Sequence, residues 1–538
     1  MQSTMPKFFS PTERIWTLAA VLLAVSLGVA YYFTAPLTAI IRWPDSPRHA
    51  MNGVFILDAL RALPWNDPMG WADSYYNQYP AITFGFYPPL PALLLAPFYA
   101  IFGVSTSTTV IFMGCFAFVL FTGVYALARN VAPPIAALTA MTLLAGTTET
   151  LIWGRQMMLE IPMMAFSIWS MHYFIRYLHT DRWQDFLWSA GLMVAALYTK
   201  QTAAFFIPAM AGIFIWQKQF SGMKRPHIWV IMGVAVLALI PLVILQLKFA
   251  SFNVTNVASR ADINVDRLSV SGLLWYPARL IDMTSLPFML FAIFGAASLG
   301  FYWRRVSNRI LWMLLIAGFI IGLAALTGIA LKETRHATLL LPALAIIAIA
   351  PFALTQLSMF WQAMAFTASL AILAFGLANV HVDTIEGTEI AAERIAGHMP
   401  EGGRVAISAH FDGPFIFRLR QLDADRRYHI VRIDKLLLDI MLAPELGLNA
   451  KSMTESEISK LLLEHNFKYI VMEPNDFMSA EVMQRFKRVM EQPPFVLTDT
   501  IPITADGPKR VYLIYKNTAA SNKAQPVIGN QRPSVTGP

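Results

Sequence analysis

Two acidic side chains that adjoin apolar segments are the first candidates for chemistry. Asp45 directly follows the first apolar run, and Glu160 lies at the start of a later one. An ionisable side chain inside a bilayer costs about 2.5–3.5 kcal/mol on insertion scales, so such residues are usually kept for a function. A carboxylate that takes a proton from a hydroxyl acts as a general base. Asp45 and Glu160 are therefore candidates for acid–base chemistry.

Basic side chains near other apolar segments form a second set of candidates. They are Arg155, Lys200, Arg335 and His336. Guanidinium and ammonium groups stabilise a departing phosphate. Transfer of a sugar from a lipid phosphate needs a base and such cations, but little acid catalysis, because the leaving phosphate is a stable anion. These residue types therefore favour glycosyl transfer in one charged cavity.

Each candidate also has a simpler interpretation, and these alternatives stay open at this point. Asp45 could be a solvated loop residue, and Glu160 could stabilise a helix N-terminus. Lys200 could extend its ammonium group to the membrane interface. Arg155 could pair with Glu160 or with Glu149.

Two further pairs of charged residues also have structural interpretations. Arg335 and His336 could mark a membrane boundary, although cationic boundaries usually lie on the cytoplasmic side. Asp58 and Arg61 lie on a predicted amphipathic helix, residues 51–63, where a structural role is favoured.

The elements that must position these residues are mostly membrane helices. The chain has 538 residues, of which 56% are hydrophobic and 14% are charged, and its mean hydropathy is +0.51. Apolar runs near the length needed to cross a bilayer recur from Arg14 to Val380. The net charge of +8 comes without a basic stripe interleaved with aromatics, which argues against nucleic acid. The single cysteine, Cys115, excludes an intramolecular disulfide.

Orientation follows from Lys and Arg clusters, which are retained in the cytoplasm. Placing these clusters inside predicts about eleven spans, at residues 15–33, 109–128, 133–150, 160–176, 186–199, 201–217, 227–247, 286–303, 310–331, 337–353 and 359–380. The prolines in residues 87–102 favour an interfacial or re-entrant helix on the outer face instead of a twelfth span. The predicted location is the bacterial inner membrane, with the active site and the C-terminal domain on the periplasmic side.

The C-terminal part has the pattern of a soluble domain. Helices are predicted at 389–398, 413–422, 455–465 and 480–491, and strands at 404–408, 428–433, 468–472, 495–503 and 510–515. This alternation is typical of a small α/β sandwich. We expect a transmembrane domain over 1–382, which includes an outer loop at 35–108, an α/β domain over 383–517 and a disordered tail over 518–538.

Five short motifs in chain order resemble those of the polyprenyl-phosphate-dependent C-type glycosyltransferases. This superfamily includes protein O-mannosyltransferases and the lipid A aminoarabinose and galacturonic acid transferases. The motifs are Asp45, then Tyr87-Pro88-Pro89-Leu90 with Phe102-Gly103-Val104-Ser105, then Arg155 with Glu160-Ile161-Pro162, then Tyr198-Thr199-Lys200, and finally Arg335-His336 with Leu341-Pro342. The similarity covers about residues 15 to 355.

The resemblance implies a fold, an activity and residue roles. The fold is a polytopic α-helical membrane protein with outer juxtamembrane helices and a C-terminal α/β domain. Asp45 would be the catalytic base, and Glu160 a second acid near the acceptor or a metal. Ligands of the donor phosphate would be Lys200, Arg335, His336, Arg155 and Tyr87.

Two departures from the family pattern limit what the resemblance implies. Ser46 stands where many relatives have a second acid. Tyr87 stands where the lipid A transferases have a phosphate-binding Lys, which argues against the aminoarabinose subgroup.

The implied function is transfer of a sugar from a polyprenyl-phosphate donor to a lipid, glycan or protein acceptor. A transporter or flippase of lipid-linked saccharide also needs a charged cavity among its spans, and a catalytically inactive scaffold is a third possibility. No cofactor follows from the sequence. A divalent cation is left open, because Glu160, His49 and His336 lack metal-site spacing.

Overall fold

The structure is a computed structural model that describes residues 11–37, 40–218, 224–249, 267, 269–306, 308–355, 357–440, 448–504 and 509–521. The predicted tail therefore lies outside the described residues after residue 521. Contacts divide the described chain into two units. The first unit takes its residues from Met1–Ala35, Gly85–Pro91 and Thr109–Val382, and the second from Pro36–Phe84, Ala92–Thr108 and Asp383–Pro538. The predicted domain boundaries separate membrane from soluble segments, whereas the two units are defined by contacts alone. The predicted boundaries therefore stay a prediction.

The first unit is helical. Its helices are α1 (Pro11–Phe33), α5 (Thr106–Ala128), α6 (Pro134–Ala145), α7 (Thr148–Trp153), α8 (Glu160–Thr180), α9 (Trp183–Leu197), α10 (Ile207–Lys218), α11 (Pro226–Phe249), α12 (Val270–Leu273), α13 (Trp275–Thr284), α14 (Leu286–Phe301), α15 (Arg309–Gly328), α16 (Leu341–Ala348), α17 (Ala350–Leu354) and α18 (Met359–Asn379). Tighter 3₁₀ turns occur at Gln201–Phe206, Trp303–Arg305 and Thr334–Leu340. The first three residues of α5 belong to the second unit.

Five helices in the described ranges are long and apolar enough to cross a membrane: α1, α5, α11, α15 and α18. The chain bends by 119° between α13 and α14, and a sixth span results if the stretch from α12 to α14 is counted as one span. The predicted span 160–176 lies in α8, an uninterrupted helix of 21 residues that is less apolar, and other predicted spans correspond to short or interrupted helices. The predicted span 133–150, for example, is divided at Gly146 between α6 and α7. The count of eleven therefore stays a prediction.

Helices of the first unit approach closely where small residues face each other. A Cβ added to Gly295 of α14 would lie 2.1 Å from the carbonyl oxygen of Ile347 in α16, so only glycine fits. Thr142 of α6 and Ser369 of α18 share a buried hydrogen bond. α8 and α9 form a hairpin, in which Ser170 donates to the Ser189 carbonyl at 2.8 Å. This hairpin brings the start of α8 and the end of α9 to one side.

The second unit combines residues before 108 with the C-terminal domain. Its elements before residue 108 are β1 (Ile40–Ile41), α2 (Asp45–Ala62), α3 (Pro68–Gln78) and α4 (Leu90–Phe102). The first two residues of α4 lie in the first unit. Its later elements are β2 (Thr384–Ile385), α19 (Thr388–His398), β3 (Gly403–Ser408), α20 (Asp412–Gln421), β4 (Tyr428–Arg432), α21 (Ile433–Leu437), β5 (Leu438–Ile440), β6 (Leu448–Ala450), α22 (Glu455–Glu464), β7 (Tyr469–Met472), α23 (Glu481–Met490), β8 (Phe495–Ile503) and β9 (Arg510–Asn517).

The sheet of the second unit has the order β4-β3-β7-β9-β8. β3 pairs in parallel with β4 and β7, whereas β9 is antiparallel to β7 and to β8. Buried residues of α22, α23 and the strands form its core, with Ile458, Phe486 and Ile470 fully buried. The predicted helices and strands of this domain occur within two residues of their expected bounds, and the short pair β5 and β6 was missed.

The part of the second unit before residue 108 is bound to the C-terminal domain by backbone and side-chain contacts. Ile40 and Ile41 of β1 pair with β2. Gln78, at the end of α3, donates to the carbonyls of Arg426 and Tyr428 at 2.6 and 3.0 Å. Residues on either side of a long membrane region in the sequence therefore fold as one unit.

Candidate active site

An ion pair at one end of the α8–α9 hairpin joins two of the predicted site residues. Glu160 is the first residue of α8, and Lys200 follows α9. The Lys200 Nζ lies 2.6 Å from the Glu160 Oε1, and their side chains are 11% and 1% exposed. A buried charge is stable only when it is paired, so this contact explains how both are tolerated.

The second carboxylate oxygen of Glu160 is buried but has no hydrogen-bond partner in the described part of the chain. A buried polar atom without a partner is costly, and it often marks a place where a ligand or a water binds. The Lys200 pair thus leaves one acceptor of Glu160 available.

The 3₁₀ turn Thr334–Leu340 brings Arg335 to the same cluster. Arg335 interacts electrostatically with Glu160, and its Nε donates to Glu333. The His336 Nε2 lies 3.8 Å from the Glu333 carboxylate. The structure therefore places Arg335 beside the ion pair of Glu160 with Lys200.

Glu149 belongs to this cluster although sequence reasoning considered it only as a partner of Arg155. It is 5% exposed and accepts a hydrogen bond from the Trp153 Nε1. It also bonds to Thr334 and interacts electrostatically with Glu160 and Arg335. An acid inside a predicted span, 133–150, was the signal that could have identified it.

Arg155 binds backbone carbonyls in the structure. Its guanidinium donates to Leu151 at 2.7 Å, to Thr34 at 3.2 Å and to Val380. Thr34 and Val380 directly follow α1 and α18, where a cation is favoured by the helix dipole. Arg155 therefore joins the ends of two helices, and its predicted role at the donor phosphate stays a prediction.

Tyr87 lies in the proline-rich segment before α4. It is half-buried, and its ring makes an edge contact with Phe86 at 4.8 Å between centroids. Three residues later, the Leu90 amide donates to the Tyr198 carbonyl at 3.1 Å. Two of the motifs, around Tyr87 and around Lys200, are thus adjacent in the first unit.

Asp45 is the first residue of α2 in the second unit, and it is half-buried. A carboxylate in the first turn is favoured by the helix dipole. Arg48, one turn later, donates to Asp412 at 2.9 Å. The convergence of Asp45 with Glu160 in one pocket stays a prediction.

Comparison with known proteins gives both a sequence match and structural matches. Residues 87–245 match the family model of dolichyl-phosphate-mannose-protein mannosyltransferases. The structure of ArnT from Cupriavidus metallidurans bound to undecaprenyl phosphate superposes with a TM-score of 0.61 at 13% identity, over 94% of this chain and 99% of that one. The chain has the fold of this glycosyltransferase.

Two other solved structures are also similar. The arabinofuranosyltransferase AftD from Mycobacteria matches with a TM-score of 0.53 at 14% identity, over 95% of this chain and 40% of AftD. The oligosaccharyltransferase of Archaeoglobus fulgidus, in complex with Zn and sulfate, matches with a TM-score of 0.50 at 14% identity, over 85% of this chain and 68% of that one. A search of curated protein sequences finds no match.

These comparisons confirm the resemblance and the fold class predicted from the sequence, and the predicted enzyme class, a glycosyltransferase. The segment that matches the glycosyltransferase family contains Tyr87, Arg155, Glu160 and Lys200, whereas Asp45 and Arg335 lie outside it. The roles of the individual site residues stay predictions.

A metal site was left open by the sequence. In the described ranges, no group of three or more His, Cys, Asp or Glu side chains has a geometry that could hold a metal ion. Glu149 and Glu160 lie near each other, but Lys200 and Arg335 already provide positive charge there. A divalent cation therefore stays an open prediction, and no step below depends on one.

Proposed function

We propose that the chain transfers one sugar from a polyprenyl-phosphate donor to a lipid, glycan or protein acceptor at the outer face of a bacterial inner membrane. Asp45 acts as the general base. Glu160 binds the acceptor, and Lys200 and Arg335 bind the donor phosphate. The active site and the C-terminal domain face the periplasm.

In this reaction a hydroxyl oxygen of the acceptor attacks the anomeric carbon of the sugar. Asp45 takes the hydroxyl proton as the new carbon–oxygen bond forms. The bond between the anomeric carbon and the phosphate oxygen breaks, and its electron pair leaves with the polyprenyl phosphate. Lys200 and Arg335 stabilise the charge on that oxygen, and this effect is large in a site from which water is excluded.

The observation that carries the proposal is the buried cluster of Glu160, Lys200 and Arg335 in a chain with a glycosyltransferase fold. Lys200 and Arg335 keep positive charge beside Glu160, and the Oε2 of Glu160 is left without a partner in the described residues. A hydroxyl of the acceptor can donate to that oxygen. Undecaprenyl phosphate, bound in the similar ArnT structure, has the phosphate chemistry that such cations recognise.

The Asp45→Asn variant tests the general base. Asn keeps the shape of the side chain but cannot take the proton, so sugar transfer should fall at least 100-fold while the protein stays folded. Transfer is measured by mass spectrometry of envelope glycolipids and glycoproteins in a deletion strain that carries each variant.

Asp67→Asn is the matched control, because Asp67 is an exposed cap of α3 in the same unit and Asn also caps helices. This control should transfer sugar normally. Normal transfer by a folded Asp45→Asn protein would remove Asp45 from the mechanism.

A reaction in detergent distinguishes the transferase from a transporter of lipid-linked saccharide. Membranes of the deletion strain contain the donor and the unmodified acceptor, and in detergent both are accessible without transport. A transferase added to this extract makes a new glycosidic bond, whereas a transporter changes only the side of the membrane on which an existing glycolipid lies and makes no product. If the purified protein forms no glycosylated product in this extract, the transferase proposal fails.

A further inference from the structure

The helix that begins with Asp45 is fixed at both of its ends to one helix of the C-terminal domain. At the start of α2, the Arg48 Nη2 lies 2.9 Å from the Asp412 Oδ1, at the start of α20. Towards the end of α2, Asp58 is bound by Arg420, near the end of α20. Both pairs lie within the second unit.

The spacing of these ion pairs shows that α2 and α20 run side by side in the same direction. Ten residues separate Arg48 from Asp58, which is about 15 Å of helix, and eight residues separate Asp412 from Arg420, which is about 12 Å. The order of charges along α2 is positive then negative, and along α20 it is negative then positive. Sliding one helix against the other would break both pairs together.

Burial makes the connection between Asp58 and Arg420 rigid. Asp58 and Arg420 are 4% and 2% exposed, and Arg420 reaches both carboxylate oxygens at 3.0 and 2.8 Å. The Tyr75 hydroxyl also donates to Asp58 at 2.7 Å. Because a buried carboxylate without a cation is costly, α2 is held in one position at this end.

The other connection reaches into the core of the C-terminal domain. Asp412 is 6% exposed and lies 2.8 Å from Arg432 at the end of strand β4, and Arg432 in turn binds Asp434 at 2.7 Å. A Cβ added to Gly413 would lie 3.4 Å from Pro47, which shows how closely α20 approaches the first turn of α2.

Asp45 and Arg48 are three residues apart, so they lie on neighbouring positions of the first turn. We propose that Asp412 is a positioning residue for the catalytic base: through Arg48, the C-terminal domain sets the orientation of the turn that carries Asp45. This inference rests on the proposed function, and it assigns the C-terminal domain a part in the transfer reaction. Small errors in the position of a catalytic group can cost a large factor in rate.

The test compares Asp412→Asn with Glu393→Gln in the full-length protein. The Asp412 change removes the charge and puts an amide group where one guanidinium now binds. Glu393 is the matched control, because it pairs with Arg418 on the same helix α20 but is 49% exposed. Transfer is measured in membranes of the deletion strain, with undecaprenyl phosphate as the probe for donor-site binding.

Asp412→Asn should lower the transfer rate at least tenfold, while its Kd for undecaprenyl phosphate stays within error of that of the Glu393→Gln protein. Its melting temperature should fall, because Asp412 is buried and binds two guanidinium groups. Arg48→Gln should lower the rate equally while its melting temperature stays close to that of the control, because Arg48 is 20% exposed and Asp412 keeps its pair with Arg432. If the role of Asp412 were merely structural, Arg48→Gln would keep the transfer rate of the control. If Asp412→Asn does not fold, Arg48→Gln decides the question alone.

Folded Asp412→Asn and Arg48→Gln proteins that transfer at the rate of the control would overturn the inference. The outcome with Asp45→Asn separates this failure from that of the proposed function. If Asp45→Asn is inactive and the other two variants are normal, the base is right and its positioning by Asp412 is wrong. If Asp45→Asn is active, the proposed function itself fails.

Discussion

Among the described residues, the buried carboxylate of Glu160 in the first unit has a hydrogen-bond partner, Lys200, at one oxygen only. In the second unit, both oxygens of Asp58 accept from Arg420, and Tyr75 also donates to Asp58. Both carboxylates are less than 5% exposed, so burial does not distinguish them. The difference lies in how completely their hydrogen-bonding capacity is used. A fully used carboxylate stabilises the fold, and a partly used one can still bind a substrate.

The largest effect is expected where the pairing is complete. Arg420→Met should destabilise the second unit by about 3–5 kcal/mol, because it leaves Asp58 buried without its cation. Thermal unfolding of the purified protein measures this change. Arg418→Met, on the same helix but in an ion pair that is 33% and 49% exposed, should cost at most about 1 kcal/mol. Equal stability of the two variants would show that the complete pairing of Asp58 does not stabilise the fold.

A loss of activity, not of stability, is expected where the pairing is incomplete. Glu160→Gln should lower sugar transfer by about 100-fold, because the neutral amide binds the acceptor hydroxyl and balances Lys200 less well. Its melting temperature should fall less than that of Arg420→Met, since the Gln oxygen still accepts from Lys200. A Glu160→Gln protein with normal transfer but strongly reduced stability would show that Glu160 stabilises the fold and does not bind the acceptor.

Arg335 is expected to contribute to donor binding as well as to the stabilisation of the leaving phosphate. Arg335→Ala should weaken binding of undecaprenyl phosphate by about tenfold or more, because it removes a charge-assisted hydrogen bond to phosphate. The Kd of the purified protein for this lipid is the measurement. Arg279→Ala, whose guanidinium lies 4.0 Å above the Trp275 ring, is the control and should leave the Kd unchanged. An unchanged Kd in Arg335→Ala would exclude its phosphate role.

The smallest effect is expected at a buried carboxylate of the second unit that is bound by a neutral hydroxyl group. Asp476, 7% exposed, accepts a hydrogen bond from Ser408 at 3.0 Å. Its burial, with the charge of Asp434 nearby, raises the pKa of its carboxyl to about 7. Because this pKa is raised in the folded protein, the carboxyl favours folding at low pH, and that stability is lost as the pH rises through 7.

The wild-type domain should therefore lose about 1 kcal/mol from this group between pH 6 and pH 7. Asp476→Asn should remove this part of the pH dependence and stabilise the domain more at pH 7 than at pH 6. Hydrogen exchange of peptides from β3 and β7 in the full-length protein measures both. Identical pH dependence in the two proteins would show that Asp476 is ionised like an exposed aspartate.

Local patterns in the sequence were sufficient to predict most of the helices and strands. The strand Phe495–Ile503 and the helix Leu286–Phe301 occur within two residues of their predicted bounds, because hydropathy and periodicity act over a few turns. Glu160, Lys200 and Arg335 were selected by the cost of charge near a membrane, and the structure brings these three together. That cost depends only on the side chain and its apolar surroundings, which the sequence displays directly.

Tertiary structure alone decided which distant residues pair. The sequence suggested Glu160 or Glu149 as partners of Arg155, and it does not reveal that its partners include the carbonyls that follow α1 and α18. The sheet order depends on pairs of strands that are separated in the sequence, such as β3 with β7, and the joining of α2 to α20 depends on contacts between residues more than 300 positions apart. Such contacts have no periodic signal, since their energy appears only when the whole chain has folded and both partners are removed from water.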